Sequence, residues 1–82
     1  MIIPRLSVDY ELVLEKVIRK YNLKLPAKII RISYDDRDDI LEIDFSIGEV
    51  EYSDPIGEGI IVEYDANGNI IGIVIEKATR FQ

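Results

Sequence analysis

The sequence contains no cysteine and no histidine among its 82 residues. The absence of cysteine excludes disulfide bonds, and the absence of both residues excludes zinc sites built from Cys and His ligands. Nucleophilic catalysis by a Ser–His or Cys–His pair is excluded as well, which leaves only the less common Ser–Lys and carboxylate schemes. No positioned set of this kind is recognisable, so we expect a protein that is not an enzyme and that carries no cofactor.

Positive charge and long apolar runs are also scarce. Ten Lys and Arg residues stand against 16 Asp and Glu residues, for a net charge of −6, which argues against binding to nucleic acid phosphates. The longest run of apolar residues and glycine, residues 70–75, is far shorter than the roughly 20 residues of a transmembrane helix. The N-terminus lacks the apolar core of a secretory signal. We therefore expect a cytoplasmic protein that binds neither membranes nor nucleic acid.

Aliphatic residues are abundant, and hydrophobic amino acids make up 48% of the chain. A chain this short buries only about 60% of its unfolded surface, so its stability depends on a dense core or on oligomerisation. We predict a single domain spanning residues 1–82.

The first third of the chain contains one amphipathic pattern. Apolar residues recur at every third or fourth position across residues 8–21, which predicts a helix. Ser7 or Asp9 can cap its start, and Asn22 marks its end. We expect the apolar stripe to pack on its own sheet, although a partner protein could cover it instead.

From residue 29 onwards, apolar and polar residues alternate with the period of a β-strand. Turn-forming residues divide this region into five predicted strands, near residues 29–34, 40–45, 49–52, 60–64 and 70–76. Pairing Tyr34 with Leu41 and Ile32 with Ile43 keeps the apolar side chains of the first hairpin on one face. The predicted fold class is α+β, with an N-terminal helix packed on a five-stranded antiparallel β-meander.

The last two predicted strands form a second hairpin around residues 65–68. This turn fits a type I turn followed by Gly68 in the left-handed conformation. The resulting pairs are Tyr64 with Ile70, Val62 with Gly72, and Ile60 with Val74. In this register both faces of the hairpin are apolar, and a four-residue loop would redistribute them. The face away from the helix carries Ile61, Ile71, Ile73 and Ile75.

Two coverings of this isoleucine face remain open. The C-terminal tail could fold back and place Phe81 over it, or a second copy of the chain could pack there. We favour the homodimer because so short a tail covers little surface. The predicted interface residues are Ile61, Ile71, Ile73, Ile75 and Phe81.

Four aspartates, Asp35, Asp36, Asp38 and Asp39, surround Arg37 between the first two predicted strands. Carboxylates bind divalent cations, but the segment lacks the glycine and the terminal glutamate of a calcium loop. Aspartate is also an ordinary turn residue. We interpret the segment as a hairpin turn, and we keep a small-ligand or divalent-metal site at these four residues as the alternative function.

Six stretches between residues 32 and 80 form a recognisable pattern, most specific between residues 59 and 75. They are Ile32-Ser33-Tyr34-Asp35, Asp39-Ile40-Leu41-Glu42-Ile43, Gly48-Glu49-Val50, Gly59-Ile60-Ile61-Val62-Glu63-Tyr64-Asp65, Gly68-Asn69-Ile70-Ile71-Gly72-Ile73 and Ala78-Thr79. This pattern resembles the domain of unknown function 2283 family of small bacterial and archaeal proteins. The resemblance makes residues 29–82 the family core and residues 1–28 an N-terminal helical extension.

This resemblance implies no established activity and provides no catalytic residues. Some members of the family are thought to accompany small toxin-like proteins of the ribonuclease type, which implies an antitoxin or accessory role. An acidic protein with an apolar surface suits a basic partner, because opposite charges favour encounter. We therefore expect a non-enzymatic protein-interaction module that is homodimeric and antitoxin-like, with a small basic protein as a further partner.

Overall fold

The computed structural model describes residues 7–82. Its elements in chain order are the helix α1 (Tyr10–Tyr21), the strands β1 (Arg31–Asp35), β2 (Ile40–Asp44), β3 (Tyr52–Gly57), β4 (Ile60–Tyr64) and β5 (Ile70–Glu76), and a short 3-10 helix (Ala78–Phe81). All strand pairings are antiparallel. The predicted α+β fold with an N-terminal helix and a five-stranded sheet is confirmed. In the described part of the chain, no helix is long and apolar enough to cross a membrane.

Both ends of α1 have the capping residues that the sequence predicts. The Asp9 carboxylate accepts a hydrogen bond from the backbone N–H of Leu12 at 3.2 Å, which satisfies one of the free amides of the first turn. The helix ends at Asn22, which adopts the left-handed conformation with φ 52°. Between these caps, Val13 and Val17 are fully buried against the sheet. The helix therefore packs on its own sheet.

The strand order is β1-β2-β5-β4-β3, which departs from the sequential order of a simple meander. β5 lies between β2 and β4, and β3 lies at the far edge beyond β4 rather than beside β2. β3 also begins at Tyr52, later than the predicted residues 49–52. The placement has a physical reason: Pro55 cannot donate a backbone hydrogen bond and suits an edge, whereas the apolar residues 70–75 suit the centre.

The first hairpin has the predicted register. Ile32 pairs with Ile43 and Tyr34 pairs with Leu41, so that their side chains face α1. On the other face, Arg31 lies opposite Asp44, and its Nε lies 3.0 Å from the carboxylate. Strict alternation of apolar and charged residues sets this register, because a shift of one residue would bury the charges.

The turn of the β4–β5 hairpin is also as predicted. Gly68 has φ 81°, and its N–H donates a hydrogen bond to the carbonyl of Asp65 at 3.1 Å. Asp65 also accepts bonds from the backbone N–H groups of Asn67 and Asn69, both at 2.9 Å. Tyr64 therefore closes the hairpin opposite Ile70.

One residue beyond this pair, a β-bulge changes the register. Ile71 has no partner of its own, and Gly72 takes the place opposite Glu63. Every later pair is shifted by one residue from the predicted register. Val62 consequently lies opposite Ile73, and Ile60 lies opposite Ile75.

The prediction that four isoleucines share one uncovered face is therefore wrong. The bulge turns Ile73 and Ile75 towards α1, where they are fully buried, and Ile71 is only 4% exposed. Ile61 remains on the opposite face and is half-buried. Phe81 packs in the core below α1 rather than on the isoleucine face. The predicted interface of these five residues loses its structural basis.

The core fills the space between α1 and the sheet. Its fully buried large side chains are Leu41, Ile43, Ile60, Ile73, Ile75, Val13, Val17 and Val62. The 3-10 helix adds Ala78 and Phe81 to the same cluster. Dense aliphatic packing of this kind is the source of stability available to a short chain without disulfides.

Candidate functional site

The sheet face that points away from α1, here called the open face, carries most of the exposed charge of the strands. The register sets two rows of side chains across it. The first row is Arg31, Asp44, Gly72, Glu63 and Ser53, and the second is Ser33, Glu42, Val74, Ile61 and Pro55. In these rows three carboxylates accompany a single guanidinium. The open face therefore combines a small apolar centre with negative charge.

Gly72 creates a gap at the centre of the first row. A Cβ atom at this position would lie 2.9 Å from Oε1 of Glu63 and 3.3 Å from Oδ1 of Asp44. Both carboxylates thus extend over the glycine from neighbouring strands, and any larger side chain would displace them. We call Gly72 and these two carboxylates the acidic notch.

The acidic notch opens into a groove of about 360 Å³ beside the β2–β3 loop. Its apolar lining comes from Ile30, Ile47, Val50 and Ile71. Three of these side chains are unusually exposed for aliphatic residues: Ile30 at 42%, Ile47 at 94% and Val50 at 46%. Clustered exposed aliphatic side chains are typical of interaction surfaces. The groove can therefore provide apolar contact and negative charge to one ligand.

Burial raises the pKa of Glu63, and the nearby carboxylates of Glu42 and Asp44 raise it further. Asp44 has a compensating charge, because Arg31 lies 3.0 Å from it. Among residues 7–82, no Lys or Arg forms a salt bridge with Glu63. A cationic group in the groove would favour the ionised carboxylate and would lower this pKa.

We expect Glu63→Gln to raise the melting temperature at pH 7 by about 2–4 °C. Because folding raises the pKa of Glu63, ionisation of this carboxyl opposes folding at neutral pH, and the opposition disappears as pH falls. The melting temperatures of variant and wild type should converge as pH falls towards 4.5, the ordinary value. Calorimetry at several pH values measures this, with the exposed Glu49→Gln as control. A lower melting temperature for Glu63→Gln at pH 7 would contradict the assigned repulsion.

The acidic turn, residues 35–39, has the backbone hydrogen bonds of a hairpin turn. Oδ1 of Asp35 accepts hydrogen bonds from the backbone N–H groups of Arg37 at 2.9 Å and Asp38 at 3.4 Å. Aspartate stabilises hairpin turns in this way. Within residues 7–82, no three His, Cys, Asp or Glu side chains come together as a candidate metal site. The geometry favours the turn interpretation of Asp35, Asp36 and Asp38.

Asp39, the fourth predicted metal candidate, fastens the C-terminal 3-10 helix to the sheet. Its carboxylate accepts hydrogen bonds from the Thr79 backbone N–H at 3.1 and 3.2 Å, from the Thr79 hydroxyl, and from the Tyr34 hydroxyl at 2.7 Å. Its carbonyl accepts the N–H of Ala78 at 3.0 Å. We call this set of contacts the Asp39 latch.

The latch changes the pKa of both its ionisable members. Burial raises the pKa of Asp39, but the hydrogen bonds from Thr79 and Tyr34 outweigh it, so that the pKa is lowered overall. In return, the hydrogen bond to the Asp39 carboxylate raises the pKa of Tyr34 to about 12. The Asp39 carboxylate therefore stabilises the fold by holding the 3-10 helix against the sheet.

The family described as "Protein of unknown function (DUF2283)" matches the chain over residues 31–78. The chain belongs to this family. No curated protein and no solved structure shows significant similarity to the chain. The DUF2283 match covers all five strands, the acidic notch and the bulge, whereas α1 lies outside it.

The family could be identified from the sequence, whereas the groove was not predicted. Ile47 is a single large apolar residue in a loop, between Ser46 and Gly48. Its position in a loop could have predicted an exposed apolar side chain. The acidic notch had no such signal, because Gly72 and Glu63 become neighbours only through the bulge. The Ala78-Thr79 stretch of the DUF2283 pattern lies outside every predicted strand. Its presence in the pattern indicates a structural role, which the Asp39 latch provides.

Proposed function

We propose that this chain is a non-enzymatic protein-interaction module whose groove binds a basic, partly apolar segment of a partner protein. The observation that carries the proposal is the position of the acidic notch next to exposed Ile47 and Val50. A Lys or Arg side chain of the partner would lie between the carboxylates of Asp44 and Glu63. Charge-assisted hydrogen bonds of this kind are stronger than neutral ones, and aliphatic contact with Ile47 adds buried area.

The charge of the open face favours a basic partner over a second copy at this surface. A two-fold interface here would place the negatively charged open faces of two copies against each other, and like charges in an interface reduce affinity. The net charge of −6 also accelerates encounter with a basic protein. The role we propose is thus antitoxin-like, with a small basic protein held through its cationic surface.

A pull-down from the native source, with the protein as bait, tests this function. We expect the wild type to retain a basic protein that Glu63→Lys loses, because a cation then occupies the acidic notch. Ile47→Asp should lose this basic protein as well, because a charge replaces an apolar contact of the groove. Glu11→Lys, on α1 and on the other side of the sheet, carries the same charge change as Glu63→Lys and should retain the partner.

Circular dichroism establishes that each bait is folded, and mass spectrometry identifies what it retains. Retention of the same proteins by Glu63→Lys and the wild type would overturn the groove as the binding site. Loss of the partner by Glu11→Lys would show that total charge, rather than the groove, governs binding.

A further inference from the structure

The two edges of the sheet are built differently. Proteins usually protect edge strands, because their unpaired backbone groups can pair with another chain. At one edge, β3 contains Pro55 and a bulge between Pro55 and Gly57. Asp54 pairs with the buried Val62, so that a charge faces the helix side of this edge. A proline, a bulge and an inward-facing charge all discourage pairing at β3.

The other edge has none of these protections. β1 pairs with β2 in an unbroken register, and residues 7–82 provide no strand on its other side. Its helix-side residues are Ile32 and Tyr34, both only half-buried. An apolar side chain that is half-buried at an edge retains surface that a neighbouring strand would cover. β3 is thus protected against pairing with another chain, and β1 is not. This difference indicates that β1 is the edge available for such pairing.

The sequence of β1 is complementary to itself when read in reverse. In an antiparallel pair with its two-fold axis at Ser33, Arg31 of each copy lies opposite Asp35 of the other. The same register places Ile32 opposite Tyr34 on the helix side and brings the two small Ser33 side chains together at the axis. Opposite charges and apolar pairs at facing positions stabilise antiparallel strands.

We propose that β1 pairs with β1 of a second copy and joins two five-stranded sheets into one sheet of ten strands. Arg31 then lies between Asp44 of its own chain, 3.0 Å away, and Asp35 of the second copy. Asp35 keeps its turn, because both of its hydrogen bonds in the turn use Oδ1. The dimer forms at the sheet edge and the groove opens on the sheet face. The two adjoin at Arg31, which also lines the groove, whereas Ser33 does not line it.

Analytical ultracentrifugation of the full chain tests the pairing. Five residues a side form a small interface, so we expect a wild-type dimer with a micromolar dissociation constant. Arg31→Asp places two carboxylates opposite each other in each pair, and Asp35→Arg places two guanidinium groups there. Each variant should weaken self-association at least about tenfold.

Mixing the two variants provides the decisive result. Asp at position 31 of one copy then faces Arg at position 35 of the other, and the remaining pair joins the native Arg31 and Asp35. We expect the mixture to form a heterodimer about as tight as the wild-type dimer, detected by energy transfer between two labels. Lys24→Asp and Asp36→Arg make the same charge changes outside β1 and should leave the wild-type affinity unchanged.

Three results would overturn the proposal: a wild-type monomer at about 200 μM, equal weakening by the control variants, or folded charge variants that do not associate when mixed. Asp35→Arg removes two hydrogen bonds of the turn, so Ser33→Lys serves as a second variant. It leaves the turn intact and brings two ammonium groups together at the axis. Self-association of Ser33→Lys as tight as that of the wild type would also count against the pairing.

Discussion

Ile73→Ala should lower the free energy of unfolding by about 3 kcal/mol, whereas Val74→Ala, one residue along β5, should lower it by less than about 1 kcal/mol. Ile73 is fully buried between Ile43 and Val62, where truncation leaves a cavity. Val74 lies on the open face and is half-buried, so the solvent fills the space that its methyl groups leave. The two substitutions thus report which side of β5 faces the core.

Urea denaturation of both variants measures these free energies. The slope of the free energy against urea concentration should match that of the wild type, because neither change alters the surface exposed on unfolding. In a hairpin without the bulge at Ile71, Val74 would face α1 and Ile73 would face solvent. A larger loss for Val74→Ala than for Ile73→Ala would therefore contradict the register described above.

The second large effect is expected at the Asp39 latch. Asp39→Ala should lower the free energy of unfolding by about 2–4 kcal/mol, because the Thr79 and Tyr34 donors lose their acceptor. Alanine is also strained at φ 55°. Asp39→Asn is the matched control: asparagine tolerates this conformation and keeps an acceptor oxygen, so we expect a loss of less than about 1.5 kcal/mol.

The pKa of Asp39 adds a dependence on pH to this comparison. Folding lowers that pKa below its ordinary value of 3.8, so the carboxylate contributes its full stability above 3.8 and loses it as pH falls further. The difference between wild type and Asp39→Asn should accordingly shrink under acid conditions. Urea denaturation from pH 7 to pH 3 measures it. An Asp39→Ala protein as stable as the wild type would show that the latch does not hold the fold.

The parts of the fold that could be predicted are those in which a wrong register would bury a charge. In the first hairpin, Glu42 and Asp44 alternate with Leu41 and Ile43, so only one face can enter the core. The helix was predictable for a related reason, since its polar and apolar residues separate into two faces.

The register of β5 could not be predicted in this way. Residues 70–75 are apolar or glycine throughout, so either face of the strand could be buried without burying a charge. Pairing with Leu41 and Ile43 of β2 determines which face of β5 enters the core. The bulge at Ile71 brings Ile73 and Ile75 onto that face. The position of β3 was missed for a similar reason, because the neighbours of an edge strand depend on tertiary structure.

The candidate site depends on the same long-range information. The acidic notch joins residues from β2, β4 and β5, and the Asp39 latch joins positions forty residues apart. Neither has a local spacing that a sequence pattern could show. From the sequence, net charge alone favours the basic partner that we propose.

The strand order has a consequence for the speed of folding. β1–β2 and β4–β5 are local hairpins, and isolated hairpins form within about 1–10 μs. The pairing of β2 with β5 joins these two hairpins. It can form only after the intervening chain, including all of β3, has closed into a loop. Contacts between distant segments form slowly, because their loop entropy is lost before they stabilise the chain. We therefore expect the docking of two preformed halves to limit the folding rate, with Ile43 and Ile73 meeting in that step.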